Sequence, residues 1–300
     1  MTGLRFTVEM PAPFSFQRTV DGAQFYSVLG RAMPDGAYRR ILRVGSVLAL
    51  IEFSGVPLGV AVRLLMANGP VDPAVFEARA RWMLHPELDL TGFYAMAQAD
   101  PTLAPLVKSL DGLRAFRLDS VFESLVITII EQQIALTMAQ TAERWLIGQY
   151  GERLTFEGET WYAFPRPETL AALEVSDLTQ LKITFLRMGR LLDIARAVAS
   201  GALDLETLTG APDALYARLL SLHGVGHWTA CWAMIRAIGQ FRYFGRADVA
   251  LRAVANQYFE GRPGRMDGAV MDAHFARYGD DAGHVAFYLI MRYAHDKAAL

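Results

Sequence analysis

A chain of 300 residues with 53% hydrophobic side chains can bury a sizeable core, and two domains suit that length. Its charges nearly cancel, 29 Lys and Arg against 31 Asp and Glu for a net −2, so bulk charge does not advertise a polyanion partner and a local patch has to be sought instead. One cysteine, Cys231, excludes a disulfide framework or a four-thiolate cluster, and no charge-free run of about 18 apolar residues predicts a membrane span.

The opening MTGLRFTVEM lacks the apolar core of a signal peptide, so a soluble, cytoplasmic chain is expected. Leu4–Met10, Tyr38–Val44, Ser46–Phe53 and Pro57–Leu65 are rich in β-branched and aromatic residues between Gly, Asp and Pro turns, and they read as an antiparallel sheet. Asp72-Pro73 then opens a helix, with an N-cap residue followed by proline at the first helical position. From about Ala104 the strand signal fades. Apolar residues recur at three- and four-residue intervals in Val121–Tyr150, Arg187–Ala199, Asp213–Leu222, Trp228–Ile238, Val249–Tyr258 and Val285–Tyr293, which predicts helices. Phe156–Pro165 (FEGETWYAFP) reads as an irregular loop or a short strand pair. The expected fold class is α+β: an N-terminal antiparallel-sheet domain over 1–105, then a mainly helical domain over 106–300.

Within the helical part, SLHGVGHWTACWAMIRAIGQFRYFGRADVALRAV (221–254) joins two helices through a Gly-x-Gly turn. Gly224 and Gly226 allow backbone angles closed to other residues and let a second backbone approach. Amides at the start of the following helix would suit a phosphate, although an ordinary helical connection explains a lone G-x-G as well. Between Leu181 and Ala255 nine basic residues face five acidic ones, an excess compatible with a solvated surface or with a polyanion partner. Asp248 precedes the helical run VALRAVANQYF as an N-cap would, and facing a cleft it would also be a fixed anion able to stabilise developing positive charge. His223 and His227 are four apart but straddle the glycine turn with no third ligand nearby, which argues against a zinc site. Trp228, Trp232, Phe241, Tyr243 and Phe244 would by default be core aromatics.

L-x-G-V-G-x-W-T-A followed by an isolated aspartate resembles the helix-hairpin-helix superfamily of DNA base-excision glycosylases, in the 3-methyladenine DNA glycosylase II branch. VFESLVITIIEQQIALTMAQ (121–140), FPRPETLAAL (164–173) and LKITFLRMGRLLDIARA (181–197) resemble further family segments in order, so most of the chain is covered. The resemblance implies an enzyme that flips an alkylated base out of double-stranded DNA and hydrolyses its N-glycosidic bond, acting as a monomer. Asp248 matches the catalytic aspartate, and Trp228 and Trp232 match base-pocket positions, where aromatic faces attract a cationic base by roughly 0.5–2 kcal/mol each. Gln132, Gln133 and Ile134 match the wedge that fills the hole left by the flipped base. Gly224, Gly226 and Thr229 match the hairpin's phosphate grip. The carbonyls of Leu220, Leu222 and Val225 match a site for a monovalent cation, Na+ or K+, and no other cofactor is implied.

The departures also carry information. Trp228 stands where lyase relatives keep a lysine, and Cys231 alone cannot hold an iron–sulfur cluster, so a monofunctional enzyme is expected. Near the C-terminus YGDDAGHVAFYLIMRY replaces an aromatic family pattern and places Met291 where a tryptophan closes the pocket. With the small Gly279–Gly283 segment beside it, that substitution predicts a wide pocket and a broad range of alkylated bases, unless Phe287 or Tyr288 closes it instead. Two alternatives remain beside this reading: a glycosylase for another lesion class, and a non-catalytic damaged-DNA binder of the same fold.

Overall fold

The computed structural model of the chain describes residues 3–243 and 248–298. Phe244, noted above, and Arg246, one of the nine basic residues counted between Leu181 and Ala255, lie outside the described residues. The N-terminal part consists of β1 (Arg5–Glu9), α1 (Phe16–Tyr26), β2 (Arg31–Ala32), β3 (Tyr38–Val44), β4 (Val47–Val56) and β5 (Gly59–Ala67). The strands form one antiparallel sheet in the order β1-β5-β4-β3-β2. Period-two alternation divides its side chains between two cores. Tyr38, Leu42, Ile51, Phe53 and Val62 face the main core. Ile41, Leu48 and Leu50 face the opposite side and pack with Leu154, Trp161 and Ala163. Leu154 and Trp161 belong to a small hairpin, β6 (Arg153–Phe156) and β7 (Glu159–Tyr162), so the strand-pair reading of that region is the one the chain adopts.

The helix predicted at Asp72-Pro73 is α2 (Pro73–Leu84), and the Asp72 carboxylate caps it by accepting from the Ala74 and Val75 amides. Next come α3 (Thr91–Ala99), α4 (Leu103–Ser109), α5 (Val121–Glu131), α6 (Leu136–Tyr150), α7 (Pro167–Ala171) and α8 (Phe185–Ala199). The last helices are α9 (Pro212–Leu220), α10 (His227–Ile238), α11 (Val249–Glu260), α12 (Gly268–Ala276) and α13 (Ala282–Ala298). Position 105/106 falls within α4, and the main core takes residues from Val8 to Phe116 and again from Trp232 to Met291. Among the described residues no helix is long and apolar enough to cross a membrane.

One expected helix is two. The apolar spacing over Val121–Tyr150 continues through residues 132–135, but the chain breaks there between α5 and α6. Gln133 adopts φ +56, a left-handed conformation unfavourable for a residue with a Cβ, and Ala135 is extended. Neither glycine nor proline marks the break, so nothing local in the sequence announced it.

Helix α10 is buried along Thr229–Ile238, as expected of a helix that is apolar on all sides. Trp232 and Ile235 join the main core, whereas Ala230, Ala233, Met234 and Ala237 join a second core built mainly from α5, α6, α8 and α9. The start of this shared helix is where the site forms.

Candidate active site

Helices α9 and α10 form the hairpin foreseen in the sequence. Gly224 sits at φ +84 in its turn, and an added Cβ would lie 2.4 Å from Cδ of Arg190, which crosses the turn there. Gly226 is the N-cap of α10 and supplies no side chain to cap it, leaving the positive end of the helix open to an anion. Gln132 ties the α5–α6 break onto this hairpin: its Nε2 donates to the Gly224 carbonyl at 3.1 Å and to Thr229 Oγ1 at 2.8 Å. Arg187 on α8 donates to the Gln132 carbonyl from behind.

Asp248 is the N-cap of α11, as its place before VALRAVANQYF predicted. Its Oδ1 accepts from the Leu251 amide at 2.9 Å, while Oδ2 accepts from Trp228 Nε1 at 2.7 Å and Trp232 Nε1 at 2.9 Å. The two indoles are four residues apart on α10, hence on one face of it. Only 5% of Asp248 is exposed, and that remainder opens into a cleft of about 800 Å³. Gln132, Gln133, Ile134, Gly224, Gly226, Trp228 and Thr229 share the cleft lining with Asp248. Fold and hairpin therefore bring most of the sequence-nominated residues to one place.

Three sets of candidates behave otherwise. Trp232 does not line the cleft; it packs in the main core behind Asp248 and reaches the carboxylate through its Nε1. Met291 does not line it either. It is 4% exposed on α13 and borders a separate cavity of about 370 Å³ with Gly22, Phe25 and Leu113, because that face of α13 packs toward α1 and the 110–113 turn. Phe287 and Tyr288 are core residues too, with Tyr288 Oη bonded to Tyr94 Oη and to the Leu113 carbonyl. Leu220 ends α9, and Leu222 and Val225 lie in the turn, where the Val225 amide donates to the Leu222 carbonyl at 3.1 Å. That bond leaves each carbonyl a lone pair, so the turn offers neutral oxygen donors of the kind a monovalent cation takes.

Sequence reasoning passed over Glu131, Arg190 and Arg265, which also line the cleft, as do the small α11 residues Ala250 and Ala253. Glu131 is held by Arg236 through bonds of 2.5 and 2.8 Å. Burial opposes the Arg236 charge most strongly, yet Glu131 together with Glu143 and Tyr26 keeps the guanidinium above its ordinary pKa. Part of the basic excess of 181–255 is neutralised by the protein's own carboxylates: Arg236 is buried against Glu131, while Arg196 pairs with Glu174 and Arg242 with Asp213 at the surface. Among the described residues, Arg190 and Arg265 are the cations that line the cleft. The i,i+3 spacing of Arg187 and Arg190 on α8 was the signal available for Arg190. His223 is exposed and His227 meets Tyr216 and Cys231, so the two histidines do not converge.

No family model matches the chain. It is 29% identical over 218 residues to a DNA-3-methyladenine glycosylase of Bacillus subtilis, covering 71% of this chain and 72% of that protein. A 3-methyladenine DNA-glycosylase structure from Archaeoglobus fulgidus has the same fold, with TM-score 0.77, 21% identity and coverage of 95% and 96% of the two chains. In sequence the chain is thus similar to a DNA-3-methyladenine glycosylase, and its fold is that of a solved 3-methyladenine DNA-glycosylase. That fold is shared more widely, since a structure of MBOgg1 in complex with a DNA ligand gives TM-score 0.79 at 20% identity, covering 99% and 98% of the chains.

Proposed function

We propose that the protein is a DNA glycosylase for alkylated bases of the 3-methyladenine type, that it is monofunctional, and that it acts as a monomer on double-stranded DNA. The observation that carries this reading is the Asp248 carboxylate, held by two indole N–H groups and a backbone amide at the wall of a cleft beside the hairpin. An alkylated base is already cationic. When the N-glycosidic bond breaks, its electron pair leaves with the base, which departs neutral, and positive charge passes to the sugar. A fixed anion beside C1′ stabilises that charge until water adds and releases a proton. Trp228 lines the cleft where a cationic base would stack.

The open start of α10, with Gly224, Gly226 and Thr229, would hold a backbone phosphate, and Arg190 and Arg265 add positive charge at the rim. Gln132, Gln133 and Ile134 would fill the space vacated by the flipped base. The turn carbonyls of Leu220, Leu222 and Val225 would bind Na+ or K+ and so stiffen the phosphate grip. The breadth of bases accepted rests on the size of the cleft and on Ala250 and Ala253 in its wall, not on Met291. Absence of a lyase step rests on Trp228 in place of an amine, since Schiff-base chemistry needs one.

The test uses duplex oligonucleotides carrying single alkylated bases, with and without borohydride. Release of free base and an intact abasic site, with no protein–DNA adduct, is the expected result. A trapped adduct would assign a lyase step, and binding without base release would leave a damage-recognition protein.

A further inference from the structure

Arg117 is a largely buried cation that the protein balances only through the unbonded charge of Glu87. It is 9% exposed, its Nε is enclosed without a hydrogen-bond partner, and its charge rests on the Trp82 ring 4.5 Å away. Among the described residues no carboxylate forms an ion pair with it. Arg114 behind it is 2% exposed and donates to the carbonyls of Leu88 at 2.7 Å and Pro11 at 3.2 Å, again with no carboxylate partner among the described residues. Buried charges are costly unless compensated, so Arg117, with an unbonded Nε and no ion pair, leaves a place for an anion, while Arg114 is satisfied by its two carbonyls.

There is room for one beside Arg117. A cavity of about 330 Å³ lies between α2, the start of α9, the end of α10 and α13, lined by Trp82, His85, Arg117, Pro212 and His284 among others. Gly239, at φ +64, keeps it open: a Cβ there would lie 2.7 Å from His85 Nδ1 and 3.2 Å from Arg117 Nε. His85 Nδ1 is likewise enclosed and unpartnered. The N-cap of α9, Ala211, makes no side-chain bond, and Asp213 is the acidic residue in that helix's first turn. The carbonyls at the end of α10 are already used by the amides of Gly239, Gln240 and Leu118. Three acidic groups stand there, of which Glu87 and Asp89 line the cavity itself. Glu87 is exposed and 3.6 Å from Arg81, Asp89 caps the Thr91 amide at 2.8 Å, and Asp281 lies 3.5 Å from His284 Nδ1.

We propose that this cavity is a binding site for a small oxyanion of the phosphate class, held by Arg117 with His85 and the start of α9. It lies at the other end of the hairpin from the Asp248 cleft, about 18 Å away along the 12 residues of α10. A bound oxyanion ties α2, the hairpin and α13 together at that end. His85, which lines the same cavity, has its pKa lowered to about 3 by burial first and then by the charges of Arg117 and Arg114. An anion opposes those charges and returns His85 toward its ordinary value.

The test is thermal unfolding of the whole chain in inorganic phosphate, with chloride holding ionic strength constant. Saturation to ten times Kd should raise Tm by about 3 °C, and the His85 ring signals should shift with its titration moved upward. Arg117→Gln should lose the phosphate response while keeping a Tm equal to or above wild type without phosphate, because a buried charge with no ion pair has been removed. His85→Asn should weaken the response without abolishing folding. Duplex DNA added in excess distinguishes the sources: displacement of phosphate assigns the site to a nucleic-acid phosphate, and persistence assigns it to a free one. A Tm rise no greater than in chloride, a phosphate response retained by Arg117→Gln, or marked destabilisation of that variant without phosphate would each overturn the proposal.

Discussion

Asp248 serves two structures with one side chain, since Oδ1 caps α11 and Oδ2 collects both indoles of α10. Asp248→Asn keeps the shape and remains a good cap, but its amide nitrogen must either face two N–H donors or give up the cap. Base release should fall at least about 100-fold while the Kd for duplex DNA stays within a few-fold; retained turnover would move the chemistry to another group. The two tryptophans should then separate. Losing one hydrogen bond to a charged group costs roughly 1.5–3 kcal/mol, so Trp228→Phe and Trp232→Phe should each lower kcat by about 10–100-fold. Trp228 also lines the cleft, so its variant should change KM as well, whereas Trp232→Phe should leave KM near wild type. Equal KM effects from both would place Trp232 against the substrate. Much of this was readable: the cap position gave Asp248 its helix, and the i,i+4 spacing put both tryptophans on one face. What could not be read is that this face meets the start of α11, because a tertiary contact across residues 239–247 leaves no periodic trace.

At the scale of elements, the break between α5 and α6 is the feature the sequence concealed. Helical spacing runs on across it, and the fold overrides that spacing by fastening Gln132 to the Gly224 carbonyl and to Thr229. The cost falls on Gln133, held at φ +56 and exposed at the cleft. A non-glycine residue in that region costs about 1–2 kcal/mol, part of which glycine returns through its greater freedom when unfolded. Gln133→Gly should therefore leave Tm unchanged or raise it by up to about 3 °C, while weakening retention of a duplex with an abasic site. A clear fall in Tm would show that Gln133 holds the turn by contacts rather than enduring it. Short helices were hidden for a different reason. Helices α3 and α4, of 9 and 7 residues, are too brief for a 3.6-residue period to stand out from the strands and turns before them. The longer α8, α10 and α11 were legible because each buries an apolar stripe over at least three turns.

Across the whole molecule, the two main cores meet on α10 and charged residues are sealed along their seam. Glu143 on α6 is 1% exposed with neither carboxylate oxygen hydrogen-bonded, near the Glu131–Arg236 pair. Its burial was implicit in the sequence, since Ala139, Ala142, Glu143, Leu146 and Ile147 share one helical face. Its protonation was not, because that depends on neighbours from α5 and α10. Burial, and after it the charge of Glu131, push its carboxyl up to about 9 from an ordinary 4.5. A proton bound more tightly in the folded state favours folding fully below the ordinary value, and the advantage is lost as pH rises toward 9. His85 acts at the opposite end: its pKa of about 3 means the folded state resists its protonation, so stability falls as pH drops below about 6.5. Glu123, raised to about 7 chiefly by burial, overlaps the Glu143 window, so the shape of the wild-type curve alone does not isolate Glu143. Its difference from Glu143→Gln does, since glutamine fills the same space and cannot ionise. The two proteins should have nearly equal Tm at pH 5, and the variant should pull ahead progressively to several degrees at pH 9. Parallel Tm curves over that range would mean that water or a rearranged Arg236 reaches Glu143 and lets it ionise at little cost.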